Sequence, residues 1–240
     1  MSAAVRARIW IRRAALALLA LMLALQVWFF ACIVFWRWHN PGQTAFMQRE
    51  LERLERPAPG AAARAPRSLQ KVWVDYARIS PYLKRAVVAS EDARFLSHEG
   101  VDWEAMEKAY SDNLRRGRMV RGGSTISQQL AKNLFLTAHR SYLRKAQELL
   151  IALMIEVVWD KRRILEVYLN VVEWGDGVFG AEAAARHYYG VSALQLDADQ
   201  AARMAAMLPS PRFFDHHRDA AYLSQRAEAI ERNLPSAQIP

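Results

Sequence analysis

Hydrophobic positions divide this chain into one long uninterrupted run and a series of shorter amphipathic stretches. Residues 14–36 are 23 positions without a charge, and only Gln26 among them is strongly polar. That run is long enough to cross a bilayer and longer than a typical signal-peptide core. Beyond it, apolar residues recur at helical rather than strand spacing. Ser80-Pro81 offers an N-cap with proline at the first helical position, ahead of Leu83, Val87 and Val88. Asp102 precedes the stripe Trp103, Met106, Tyr110 and Leu114, which stops at Gly117. Ser141 precedes a long helix whose second half, 149–159, is almost wholly apolar. Asp160 opens Ile164, Leu165, Tyr168 and Leu169, and Asp197 with Gln200 resembles a capping box leading to Met207. Residues 71–76 are the only short strand candidate, so the expected class is mainly α.

These patterns predict four segments. Residues 1–13 form a stub, 14–36 an anchor, 37–70 a juxtamembrane linker and 71–240 a helical domain. Within the linker, 48–56 has the pattern of a short helix, and Pro57, Pro59, Gly60 and Pro66 then end regular structure. Arg6, Arg8, Arg12 and Arg13 precede the apolar run and no acid does. The positive-inside rule therefore puts the N-terminus in the cytoplasm and the domain outside. Trp28, Trp36 and Trp38 gather toward the exit side, where an aromatic belt belongs. The alternative, a cleaved signal peptide, lacks a recognisable cleavage region after the run.

Charge and cysteine content sharpen this picture. Of the formal net charge of +9, the five arginines of residues 1–37, with no acid among them, leave +4 for everything beyond. A mildly basic domain beside a membrane suits lipid headgroups or a pyrophosphate, and its expected side of the bilayer argues against nucleic acid. Cys32, the single cysteine, lies inside the apolar run, so no disulfide framework stabilises the domain.

Three polar clusters interrupt the helical patterning. The first runs over 90–102, where Glu91 and Asp92 close an apolar helix at the end its dipole disfavours for acids. The pair reads either as a site or as two solvated carboxylates; beside apolar walls, a glutamate rises toward the pKa a general base needs. His98 in the following turn reads as a base, a metal ligand or, as a lone histidine in a turn more often is, a structural residue; no second histidine or cysteine stands at ligand spacing to support ligation. The second cluster, 122–133, begins with Gly122 and Gly123, and Ser124 stands where an N-cap belongs. At 100° per residue Ser124, Thr125, Gln128, Gln129 and Lys132 share one side of that helix, and Ile126, Leu130 and Leu134 the other. Hydroxyls, carboxamides and an ammonium are groups that hold sugar and phosphate oxygens; a capped helix with a polar exterior would show the same spacing. In the third cluster Arg144 and Glu148 stand four apart, the spacing of an ordinary surface ion pair, yet Glu148 leads directly into an apolar run. Cations at Lys132, Arg140, Arg144 and Lys145 would together neutralise a diphosphate leaving group.

The three clusters, in this order, resemble the family 51 glycosyltransferases, specifically the monofunctional biosynthetic peptidoglycan transglycosylases. The motif Glu-Asp-x-x-Phe-x-x-His-x-Gly is met by Glu91, Asp92, Phe95, His98 and Gly100. The second motif is the 122–133 stretch, and the third, Arg-Lys-x-x-Glu, is Arg144, Lys145 and Glu148. A fourth is similar to 163–170 and a fifth to 204–209, so the resemblance covers about 71–212 together with the anchor. One departure is Lys108, where the family usually has arginine; charge is kept but a bidentate grip is lost.

The resemblance implies a lysozyme-like helical fold with a small apolar lobe dipped into the bacterial inner membrane. It implies polymerisation of lipid II into β-1,4 glycan strands, with inversion at the donor's anomeric carbon and release of undecaprenyl pyrophosphate. Glu91 is then the general base, and Lys132 and Arg140 steady the donor pyrophosphate. Glu148 orders that cationic group or a divalent ion, Mg or Mn, an option the motifs leave open. Asp92, Phe95, His98, Lys108, Ser124, Thr125, Gln128, Gln129, Arg144 and Lys145 fall among the substrate-binding positions. The implied partners are lipid II, the nascent strand, membrane lipids and cell-wall proteins of division or elongation. Two rivals stay in view: a glycan-cleaving muramidase or lytic transglycosylase, which has no diphosphate to hold, and a non-enzymatic membrane-anchored division scaffold. Ser68-Leu69-Gln70-Lys71 and Ser111-Asp112-Asn113 mimic transpeptidase motifs, but no Lys-Thr-Gly or Lys-Ser-Gly accompanies them, so polymerisation without cross-linking is expected.

Overall fold

The computed structural model describes residues 3–55, 68–116, 123–136 and 141–240. The chain separates into two compact units, one up to His39 and one from Asn40. The first unit is the helix α1 (Ala3–Trp36), of which Ala7–Trp36 is long and apolar enough to cross a membrane.

The second unit opens with α2 (Ala45–Glu55), capped by Thr44, whose Oγ1 accepts from the Met47 N–H at 3.2 Å. Met47 and Glu50 on this helix are buried. The expected linker is therefore part of the domain's packing as far as residue 55, because one face of α2 carries groups that only a protein partner covers. After β1 (Gln70–Lys71) comes α3 (Pro81–Glu91), where Ser80 accepts from the Tyr82 N–H and Pro81 holds the first turn, as its sequence predicts. Then follow α4 (Trp103–Arg116), α5 (Ile126–Phe135), α6 (Tyr142–Val158) and α7 (Lys161–Val171). Ser141 and Asp160 cap α6 and α7 by accepting from the third N–H of each helix.

A hairpin of β2 (Glu173–Gly175) and β3 (Val178–Phe179) leads into α8 (Ala181–Tyr189). The sheet order is β1-β3-β2, parallel for β1 with β3 and antiparallel for β2 with β3. Strands of two or three residues are too short for alternation to register, and the hairpin was not expected from the pattern. Gly180 sits at φ +85°, with the Asn170 carbonyl 2.8 Å from where a Cβ would stand, so glycine is required for the turn into α8. The chain finishes with α9 (Ala198–Met207), α10 (Pro211–His216) and α11 (Ala221–Asn233); α9 begins with the predicted Asp197–Gln200 capping box.

Two packing groups place the site. Helices α3 and α11 lie against α9, and α5 lies against α6 and α7. Leu83, Val87, Ile126, Leu130, Ile151, Ile155, Ile164 and Tyr168 are all fully buried within these groups. Asn170 fastens the 70–76 segment to α7: its Oδ1 accepts from Val74 N–H and its Nδ2 donates to the Val74 carbonyl, both at 2.9 Å.

One pattern faces the other way from a core stripe. Trp103, Tyr110 and Leu114 of α4 are each more than 60% exposed, and so are Leu143 and Val157 of α6. These helices carry apolar periodicity without a protein partner for all of it, as surfaces that meet lipid do.

Candidate active site

The C-terminus of α3 delivers Glu91 to the wall of a cleft of about 700 Å³. Its Oε2 accepts from Gln129 Nε2 at 2.9 Å, while Oε1 has no hydrogen-bond donor among the described residues. Arg226 Nη2 stands 3.5 Å from that second oxygen. Burial pushes the Glu91 carboxyl above the ordinary range; the Gln129 hydrogen bond and the Arg226 and Lys132 charges oppose the rise, and Asp92 adds to it. A carboxylate on the wall of the cleft, made more basic by burial, can take a proton from a hydroxyl there.

Gln129 is itself aimed. Tyr168 donates its hydroxyl proton to Gln129 Oε1 at 2.9 Å, which leaves the amide nitrogen to face Glu91. Burial, with Glu91 and Asp92 nearby, lifts the Tyr168 phenol well above its usual range, so it stays a donor. Tyr168 belongs to the fourth motif, but its role as the residue orienting the carboxamide depends on α7 meeting α5 and has no local sequence signal.

Asp92 does different work from Glu91. Both of its oxygens lie 3.0–3.1 Å from His98 Nε2, and Oδ2 also accepts from the Ile126 N–H at 2.9 Å. It ties the first polar cluster to the start of α5, and its carboxylate is engaged by protein. His98 is held as that partner, and Phe95 is completely buried, under the Lys161 ammonium 4.8 Å from its ring centroid. Phe95 is therefore a packing residue here, and Asp92, held by His98, positions the start of α5 from the wall of the cleft.

The second cluster is also rearranged. Thr125, not Ser124, is the N-cap of α5; its Oγ1 accepts from Gln128 N–H, and Gln128 Oε1 accepts from Thr125 N–H, both at 3.2 Å. The capping box turns Gln128 inward, where it is 1% exposed, so it does not line the cleft as its helical angle suggested. Ser124, Thr125 and Gln129 do line it, together with Glu91, Asp92 and the exposed Lys108. Gly123 allows this approach: a Cβ there would come within 3.1 Å of the Met106 Cα.

Next to the cleft lies the cationic cluster. Glu148 is 3% exposed and receives Arg144 Nη1 at 2.7 Å and Lys145 Nζ at 2.5 Å, and Lys145 donates a second hydrogen bond to Ser124 Oγ at 2.9 Å. Glu148 is thus a buried organiser rather than a group that meets substrate. Both its oxygens are taken by cations, a donor set that does not fit a divalent ion held by Glu148. Among the described residues no group of three His, Cys, Asp or Glu side chains is placed to hold a metal. Lys132 stands between Glu91 and this cluster in charge terms. Burial draws its ammonium below the usual lysine range; Glu148 and Glu91 oppose the fall, and Arg144 and Lys145 deepen it. Arg140 lies outside the described residues. Arg226 was missed, since an arginine among alanines and glutamates on α11 carries no motif; only the meeting of α11 with α3 reveals it.

A family model described as Transglycosylase matches residues 60–234. The chain belongs to the transglycosylase family. A biosynthetic peptidoglycan transglycosylase of Laribacter hongkongensis is 57% identical to it over 231 residues, 96% of this chain and 99% of the relative. Relatives of the same description from Janthinobacterium sp. (57% over 220 residues, 92% and 93% of the two chains) and Dechloromonas aromatica (52% over 231 residues, 96% and 97%) are similar along nearly their whole length. Every candidate site residue falls inside the transglycosylase match, whereas α2 precedes it.

Proposed function

We propose that this transglycosylase polymerises peptidoglycan glycan strands, transferring the growing lipid-linked chain onto the 4-hydroxyl of the GlcNAc of lipid II. The Glu91 carboxylate takes the proton of that hydroxyl as its oxygen attacks the donor's anomeric carbon from the face opposite the leaving group. The carbon–oxygen bond to the diphosphate breaks, and undecaprenyl pyrophosphate departs with the bonding pair. Lys132, with Arg140, Arg144 and Lys145, offsets the charge that develops there. The anomeric centre inverts, giving the β-1,4 linkage. Gln129 and Tyr168 hold the base in register, and the cleft lined by Ser124 and Lys108 receives the acceptor sugar.

A polyprenyl-linked substrate is confined to the bilayer, so α1 as a single-pass anchor of the inner membrane and the exposed apolar residues of α4 and α6 serve the same need. The domain then works on the periplasmic side, with the N-terminus in the cytoplasm. Division or elongation cell-wall proteins would meet it there.

The observation that carries this reading is the half-buried Glu91 beside a cluster of cations. A muramidase or lytic enzyme needs the acid but has no diphosphate to hold, and a scaffold needs neither. The test offers the purified full chain labelled lipid II in vesicles and, separately, preformed sacculi. Longer saccharides from the first and no release from the second are expected; the reverse pattern would assign a cleaving enzyme.

A further inference from the structure

Lys132 has an unusual setting for a cation assigned to a diphosphate. From α6 it feels Arg144, Lys145 and Glu148, and from α3 Glu91, and its burial costs it solvation. Among the described residues no carboxylate lies within ion-pair distance of it. What its ammonium does meet is an aromatic face: the Phe46 ring of α2, with its centroid 5.5 Å from Nζ. That distance is within the range in which a ring quadrupole attracts a cation.

A second contact joins the same two helices. Arg49, one turn along α2, lies 5.4 Å from the Phe46 centroid and donates from Nη2 to the Leu136 carbonyl at 3.3 Å. Leu136 is the C-cap of α5, and Lys132 stands in the last turn of that helix. So α2 touches both the cation and the helix end that carries it. The adjoining face of α2 is fastened firmly. Met47 is completely buried, and Glu50, 2% exposed, pairs with Arg53 of α2 and with Arg212 Nη2 of α10 at 2.5 Å. An exposed linker helix would need neither a buried carboxylate nor a ring turned toward a lysine of another helix.

We propose that α2 is a positioning element of the donor site, with Phe46 holding the Lys132 ammonium in place beside Arg144 and Lys145. The proposal rests on the reading of Lys132 as a donor-diphosphate cation. The ring's negative face offsets part of the repulsion from the two neighbouring cations, and the rigid stem of Phe46 costs little entropy to keep there. Arg49 steadies the end of α5 so that the ammonium and ring stay in register. The segment that follows the anchor in the chain is thereby built into the chemistry of the transfer.

The test uses the full chain in vesicles with its polyprenyl-diphosphate disaccharide. Phe46→Leu keeps the apolar cover and removes the ring face; it is expected to lower kcat/KM by about 3- to 10-fold. Loss of the ring lets the Lys132 ammonium deprotonate more easily, so the alkaline limb of the rate profile moves down by about half to one pH unit. Phe46→Tyr, which keeps the ring, restores both. Replacing Phe46 by increasingly fluorinated phenylalanines weakens the ring face at nearly constant shape, and activity is expected to fall in step, whatever Phe46→Leu does to folding. In a Lys132→Ala background, Phe46→Leu is expected to add nothing. If Lys132→Ala cripples transfer while the fluorinated series stays flat and the alkaline limb does not move, the role of Phe46 is overturned and the reading of Lys132 stands. If Lys132→Ala itself retains full activity, the donor-cation reading falls and this proposal with it.

Discussion

Glu91 and Lys132 are charged groups of opposite sign, both half-buried, and the loss of solvent moves each toward neutrality. Their surroundings then diverge. Glu91 is steadied by a neutral carboxamide that leaves one oxygen unbonded, and its partner cation Arg226 stays at 3.5 Å. The cationic side is instead cross-linked through Glu148, which binds two cations at 2.5–2.7 Å. The contrast separates two demands of one reaction. A base has to keep a lone pair available, whereas a cluster that receives an anion has to be held together against its own repulsion before the anion arrives.

The sharpest way to break this comparison is at the base. Glu91→Gln is expected to lower the polymerisation rate by about 10²- to 10⁴-fold, the usual worth of a general base. Because folding raises the Glu91 pKa, the ionised acid costs stability at neutral pH, and that cost grows as pH rises through the folded pKa. The Gln variant should therefore melt no lower than wild type in a thermal scan at pH 7. On the cationic side, Lys132→Ala is expected to cost about 10²-fold in kcat, in line with loss of one electrostatic stabiliser. Lys108→Ala, on an exposed side chain at the cleft rim, should cost far less, under about 5-fold, since a solvated charge does little. Equal losses in the same rate assay would erase the division between core and rim cations. Glu148→Ala sharpens the organiser role. Removing the buried partner of two part-exposed cations is expected to destabilise by about 1–3 kcal/mol, measured by denaturant unfolding.

Much of this was legible in the sequence, and the failures share a cause. The helices α3, α6, α7 and α9 follow from caps and apolar spacing that act within a few residues. The cap is misassigned to Ser124 because Ser124 and Thr125 are both good caps, and Asp92, which accepts the Ile126 N–H from another segment, fixes where α5 begins. The helical angle that set Gln128 beside Gln129 took no account of the capping box that folds it inward. Phe95 belongs to a motif whose residue types suggest contact with substrate, while its burial shows that part of a motif is scaffold. Arg226 and the packing of α2 escape the sequence for a related reason: a helix at 48–56 is legible, but both matter through one long-range meeting, with Glu91 in the first case and with α5 in the second. The stripe of α4 was correctly seen as apolar, but periodicity alone does not say whether protein or lipid covers it.

The pH dependence of polymerisation in wild type and Gln129→Met addresses the central claim most directly. Wild type should lose kcat/KM on the acid side at a pH above the ordinary carboxylate range, as Glu91 takes up a proton. Gln129→Met removes the hydrogen bond that favours the carboxylate, so the acid limb should move to higher pH while the alkaline limb stays. An acid limb that is absent, or that does not respond to the loss of Gln129, would contradict Glu91 as the base.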